Sequence, residues 1–200
     1  MRTGIVLVGG EARRAGGVEK YFFEVCGQTF IDRLLKTLRG VVDEIVIVAR
    51  NKEQCARFAQ YQDVRCIEDL RKKMGPIGGV HAGALAARGE ELFIVACDMP
   101  CINGEVIEEL FRMLEDYDAV IPCWNREMLE PLHAVYLRSA LLEYLREHES
   151  RSLRAMVEGL RPRYVSAESF RPLDPELLTF ININHLGDLE RFKAEIEHRL

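Results

Sequence analysis

The chain has 200 residues, 48% hydrophobic and 30% charged, with 27 Lys and Arg against 32 Asp and Glu for a formal net charge of −5. This is the make-up of a soluble globule with a sizeable core, which excludes a disordered or fibrous chain. The acidic balance argues against general nucleic-acid binding, which needs a positive surface, and no apolar run approaches the ~18 residues of a membrane span.

Thr3–Val8 is a β-branched run that stops at Gly9-Gly10 and reads as a buried strand. Gly9–Lys20 carries four glycines without apolar periodicity and reads as a loop. Tyr21–Val25 is extended in character, with a turn at Gly27-Gln28. Phe30, Leu34, Leu35 and Leu38 fall at helical spacing, and Gly40 ends that helix. A second buried strand is expected over Glu44–Ala49, a helix over Lys52–Gln60 and a third strand over Val64–Ile67. The loop Gly75–Gly79 leads to a helix over Val80–Arg88, then to the most apolar strand, Leu92–Ala96. Asn103 caps a helix running to about Glu115. Further extended pieces are expected at Asp118–Pro122, Pro131–Leu137, Arg163–Val165 and Leu178–Ile183. The remaining helices are Ser139–Glu147, Ser152–Gly159 and Gly187–Arg199, and Arg161–Pro175 reads as an irregular surface excursion.

Strands apolar on both faces alternate with helices, which predicts an α/β fold with a mostly parallel sheet flanked by helices. No repeat or linker divides the chain, so residues 1–200 are expected to form a single domain. The six cysteines (Cys26, Cys55, Cys66, Cys97, Cys101 and Cys123) make no C-x-x-C pair. The opening apolar stretch is too short for a signal peptide. Together these predict reduced, mostly buried thiols in a cytoplasmic protein.

Ligands of an open parallel sheet lie beyond the carboxyl ends of its strands. After the first strand, glycine amides free to face phosphate oxygens are followed by the cations Arg14 and Lys20. The phosphate reading is favoured over a plain flexible loop. Asp98 ends the fourth strand, where a partly desolvated carboxylate suits Mg²⁺ shared with substrate phosphates better than a turn cap. Asp69 can accept hydrogen bonds from a ribose or be an ordinary loop acid. Gly75-Pro76 can pack on a base or simply turn the chain. Asn182 and Asn184, two residues apart, can hold a polar ligand or cap the last helix. His133 reads as a structural histidine in a strand, since no nucleophile or acid completes a triad.

Taken in order, these segments resemble the molybdenum cofactor guanylyltransferases of the nucleoside-triphosphate transferase superfamily. The resemblance rests on Leu7, Gly9, Gly10, Arg14, Gly16, Gly17 and Lys20 of the opening signature. It continues in Ile67-Glu68-Asp69, Gly75–Gly79, Cys97–Pro100, Pro131–Tyr136 and Asn182–Asn184. It implies a Rossmann-like fold of the nucleotide-diphospho-sugar transferase type. The implied activity moves GMP from GTP onto the terminal phosphate of Mo-molybdopterin and releases pyrophosphate. It further implies that Leu7, Gly9, Gly10, Lys20, Asp69 and Asp98 hold GTP and that Asp98 binds Mg²⁺. Lys20, Arg14 and Asp98 would be catalytic, and Asn182 and Asn184 would lie near the acceptor. Transient contact with molybdopterin-delivering or acceptor proteins is also implied. Val8 and Ala15 stand where the family pattern has alanine and methionine, and Asn51 is a displaced candidate for reading the base. Two rival readings are a relative with another acceptor (cobinamide phosphate, the same pterin with CTP, or a sugar phosphate) and a regulatory module that binds GTP without turnover.

Overall fold

The computed structural model describes residues 1–9, 19–69, 71, 74–149 and 151–197. Among these, seven strands make one sheet: β1 (Arg2–Leu7), β4 (Glu44–Ala49), β5 (Val64–Glu68), β6 (Glu91–Ala96), β7 (Ala119–Cys123), β8 (His133–Leu137) and β9 (Pro162–Ser166). A separate hairpin pairs β2 (Glu24–Val25) with β3 (Gln28–Thr29). The sheet order is β5–β4–β1–β6–β8–β7–β9. Only β8 runs antiparallel to its neighbours; the other pairings are parallel. One face is covered by α1 (Phe30–Leu38), α2 (Lys52–Ala56) and α4 (Gly104–Arg112). The other is covered by α3 (Pro76–Ala86), α5 (Arg138–Glu147) and α6 (Leu153–Glu158). No helix among the described residues is long and apolar enough to cross a membrane.

The central strands bury both faces because apolar residues occupy successive positions: Ile5 and Val6 in β1, Ile45–Ala49 in β4 and Leu92–Val95 in β6. In α1, Thr29 Oγ1 accepts the Asp32 N–H, while Phe30, Ile31, Leu34, Leu35 and Leu38 form one fully buried stripe. Each such side chain contributes about 1.5–3 kcal/mol on leaving water. Asn103 caps α4 as expected, accepting the N–H groups of Glu105 and Val106. The closing helix α7 (Leu186–Glu197) buries Leu189 and Phe192 in a satellite cluster with Phe23, Val25, Phe30 and Ile183.

Several local expectations change. Pro76 is the first residue of α3 and Gly75 (φ 64°) its cap, so the Gly-Pro segment starts the helix instead of forming a loop before it. Gly83 lets that helix lie on β1: a Cβ there would come within 2.6 Å of Ile5. Lys20–Phe22 and Leu178–Phe180 are single 3₁₀ turns where extended chain was expected, and α2 ends at Ala56 instead of Gln60. Arg161–Pro175 is not an excursion. Its β9 pairs with β7, and Ala167 and Phe170 are buried in the core.

The winding places the site. From β1 the chain steps out to β4 and β5, then crosses back to β6 on the other side of β1. A crevice therefore opens beyond the carboxyl ends of β1 and β6, where the crossovers part. Cys97 N–H donates to Leu7 O (3.1 Å), so the chains leaving these two strands stay side by side.

His133, on β8, is fully buried, with its ring edge-on to Phe93 and Phe180 and Nε2 3.2 Å from Thr179 Oγ1. Burial pushes its pKa from 6.5 down to about 3, so the ring is neutral at pH 7. Below pH 6.5 the unfolded chain takes up a proton here that the folded chain refuses. Stability should thus fall as pH drops from 6.5 to about 3, by at most about 1.4 kcal/mol per pH unit from this group. Urea denaturation across that range should show a shallower pH slope in His133→Gln than in the parent.

Candidate active site

Lys20 begins a 3₁₀ turn just before the hairpin, and Asp98 follows the end of β6. The lysine Nζ donates to Asp98 Oδ2 at 3.1 Å and to Asn184 Oδ1 at 2.9 Å. Both members of the ion pair are mostly shielded, with side chains 24% and 21% exposed. Asp98 Oδ1 is buried and has no hydrogen-bond partner among the described residues. Such an oxygen is costly unless a cation or donor reaches it. Ile183 N–H donates to Asp98 O (2.8 Å), and the Ile183 side chain is buried in the satellite cluster. The same short segment therefore fixes Asp98 from behind and presents Asn184 to Lys20. Asp188 Oδ2 accepts the N–H groups of Asn184 and His185, anchoring that segment to α7.

A second brace comes from Gln54, which sequence reasoning missed. It lies in α2, only 2% exposed. Its Nε2 is within hydrogen-bond reach of Val8 O (3.2 Å), Glu19 Oε2 (3.4 Å) and Tyr21 OH (3.4 Å), while Oε1 accepts the Arg50 N–H (2.7 Å). One amide thus holds the residues on both sides of 10–18. Arg50 adds an ion pair to Glu19 (3.2 Å). Asn51, the candidate base reader, instead caps α2 through the Gln54 N–H (2.9 Å). The stretch Asn51-Lys52-Glu53-Gln54 resembles a capping box; that was the available signal, but it pointed to local work only.

The other candidates surround this centre. Leu7 closes β1 and packs toward α3, where a Cβ on Gly79 would come within 3.2 Å of it. Gly9 is exposed beside Arg50 N. Asp69 follows β5; its N–H donates to Ala49 O (2.7 Å) and its Oδ1 accepts the Arg71 N–H (2.9 Å). A Cβ on Gly78 would meet that carboxylate at 2.9 Å, so the glycine gives Asp69 room against the first turn of α3. Asn182 is exposed on the segment that carries Asn184. Gly10 and Arg14 lie outside the described residues. Burial, reinforced by the neighbouring Asp98 charge, pushes the Cys97 thiol up to about 12, which keeps it protonated and unreactive. Among the described residues no group of three or more His, Cys, Asp or Glu side chains is placed to hold a metal ion.

Replacing Gln54 with leucine removes the donor that joins Val8 to Glu19. Because Val8 O then loses its buried donor, the change should cost about 1–3 kcal/mol of stability while the far-UV circular dichroism spectrum is retained; urea denaturation of Gln54→Leu beside the parent checks this.

The MobA-like NTP transferase domain family matches residues 4–165. A relative from Methanosarcina acetivorans, named "Probable molybdenum cofactor guanylyltransferase", is 39% identical over 199 residues, covering 94% of this chain and 88% of the relative. The molybdenum cofactor guanylyltransferase of Desulfosudis oleivorans is 38% identical over 197 residues, covering 98% and 96%. The crystal structure of molybdopterin-guanine dinucleotide biosynthesis protein A from Archaeoglobus fulgidus superposes with a TM-score of 0.83 at 33% identity, with both chains covered completely. The sheet is that of the nucleotide-diphospho-sugar transferase fold. The family match over residues 4–165 and relatives at 38–39% identity along nearly the whole chain show that the chain belongs to the MobA-like NTP transferase family.

Proposed function

We propose that this protein transfers GMP from GTP to the terminal phosphate of Mo-molybdopterin, giving molybdopterin guanine dinucleotide and pyrophosphate, with residues 1–200 acting as one nucleotidyltransferase domain. Family membership and relatives named molybdenum cofactor guanylyltransferase support this reading. The observation that carries the chemistry is Asp98, with one oxygen held by Lys20 and the other buried and without a partner among the described residues.

The reaction is an in-line displacement at the α-phosphorus. The attacking group, a phosphate oxygen, is already anionic, so the protein has to align reactants and offset charge. This suits a site whose neighbouring His133 and Cys97 are both held neutral by burial. Lys20 turns from Asp98 to the entering phosphates and offsets the charge that develops on the leaving pyrophosphate. Arg14 adds a second cation. By family resemblance, Leu7, Gly9 and Gly10 bind the triphosphate and Asp69 contacts the nucleoside. Asn184, whose Oδ1 accepts from Lys20, faces the acceptor side together with Asn182, two residues earlier on the same segment. Asp98 is the residue that would hold Mg²⁺; its hard oxygen, without a partner among the described residues, fits that ion, which would supply charge neutralisation for the phosphates.

Pyrophosphate release should be seen with GTP, Mg²⁺ and molybdenum cofactor together, and not when the cofactor is left out. A preference for CTP or for another acceptor would reassign the substrate, and GTP binding without release would make the protein a regulatory module. In the same assay Lys20→Ala should lower kcat by about 10²–10³-fold, as losing a charge-stabilising donor does. Asp98→Asn should abolish metal-dependent turnover while leaving the thermal unfolding transition cooperative.

A further inference from the structure

The site does not use one feature of the sheet edge. Cys55 on α2 and Cys66 on the edge strand β5 bring their sulfurs to 2.7 Å, with both thiols free. Two non-bonded sulfurs normally stay well beyond this distance, and a disulfide closes at about 2.05 Å. The pair is not sealed in the core. Both residues are half-buried, and both line a groove of about 740 Å³ that also touches Lys52, Ile67, Glu68 and Leu85. Among the described residues the remaining cysteines show no such pairing; at Cys101 the thiol instead lies 3.9 Å from the Arg33 guanidinium.

We propose that Cys55 and Cys66 are a dithiol modification site that closes to an intramolecular disulfide when it meets a small disulfide oxidant. The Cys55 sulfur, as thiolate, attacks one sulfur of the reagent, forming a mixed disulfide and releasing the first small thiol. Cys66 then gives up its proton and attacks the Cys55 sulfur, which expels the second small thiol. The two protein protons end on the two released thiols. The protein loses two electrons and the reagent gains them. The order follows from the environment. Cys66 donates its S–H toward Cys55, and burial, followed by the bond and charge of Cys55, pushes the Cys66 thiol well above its ordinary range. Cys55 is therefore the first to attack. Because α2 also carries Gln54, the bond would fasten that brace to the sheet edge without moving it far.

The test is peptide mapping of the native full chain after incubation with oxidised glutathione. Trypsin cleaves after Arg57 and Arg65, so the two cysteines fall in different peptides. The expected result is a Cys55–Cys66 cross-linked peptide, an intact mass about 2 Da lower and a fall in alkylatable thiols from six to four. The link should reverse with dithiothreitol and be absent in Cys66→Ser. Six reactive thiols with no cross-link, a stable glutathione adduct at Cys55 alone, or a link through Cys26, Cys97, Cys101 or Cys123 would each overturn the proposal. None of these readouts depends on turnover, so failure here is distinct from failure of the proposed reaction.

Discussion

The site is organised around a single constraint, the charge balance between Lys20 and Asp98 at the point where the sheet reverses its winding. A carboxylate at the end of a strand as apolar as Glu91–Ala96 is partly stripped of water. It persists there only with a cation beside it. Lys20 provides that cation, but to one oxygen only, and among the described residues the other oxygen has no partner.

The pair is held from two sides by different kinds of force. On one side the hold is polar: Gln54 spans Val8 and Glu19, Arg50 grips Glu19, and Asn51 fixes the turn that presents Gln54. On the other it is apolar. Ile183 lies in a small cluster with Phe23, Phe30, Leu189 and Phe192, and its backbone N–H reaches Asp98 O. The satellite cluster thereby joins the hairpin, the start of α1 and the closing helix into one support for Asn184. Polar braces orient by direction and apolar ones by shape, and the lysine sits where the two meet.

The buried polar groups around this centre are kept neutral. His133 and Cys97 are both denied their charged forms by desolvation, so the charges near the crossover among the described residues come from paired groups, Lys20 with Asp98 and Glu19 with Arg50. His133 instead acts as a fastener. With Thr179, whose Oγ1 also accepts the Asn103 N–H and whose own N–H donates to Asp174, it secures the segment that leads to Asn182 and Asn184. A chemistry that needs alignment and charge offset rather than proton abstraction is consistent with such a site.

Much of the fold was legible in residues 1–149, because two-sided apolar strands and striped helices declare themselves through local periodicity. The Phe30–Leu38 stripe, the Asn103 cap and the Leu92–Ala96 strand required no partner to be recognised. The larger departures fell where local preference was weak and packing decided: Pro162–Phe170 joined the sheet and core, and Leu178–Phe180 tightened into a turn, besides smaller shifts at Lys20–Phe22, the end of α2 and the start of α3. By itself the sequence determined the sheet-and-helix pattern, the glycine-rich opening and a carboxylate at the end of the fourth apolar strand. That Lys20 meets Asp98 across 78 residues and Asn184 across 164, and that Gln54 serves as their brace, was decided only by tertiary structure. The physical reason is that hydrogen bonds between distant residues leave no periodic trace in a chain and exist only once the winding of the sheet has brought their partners to the same crevice.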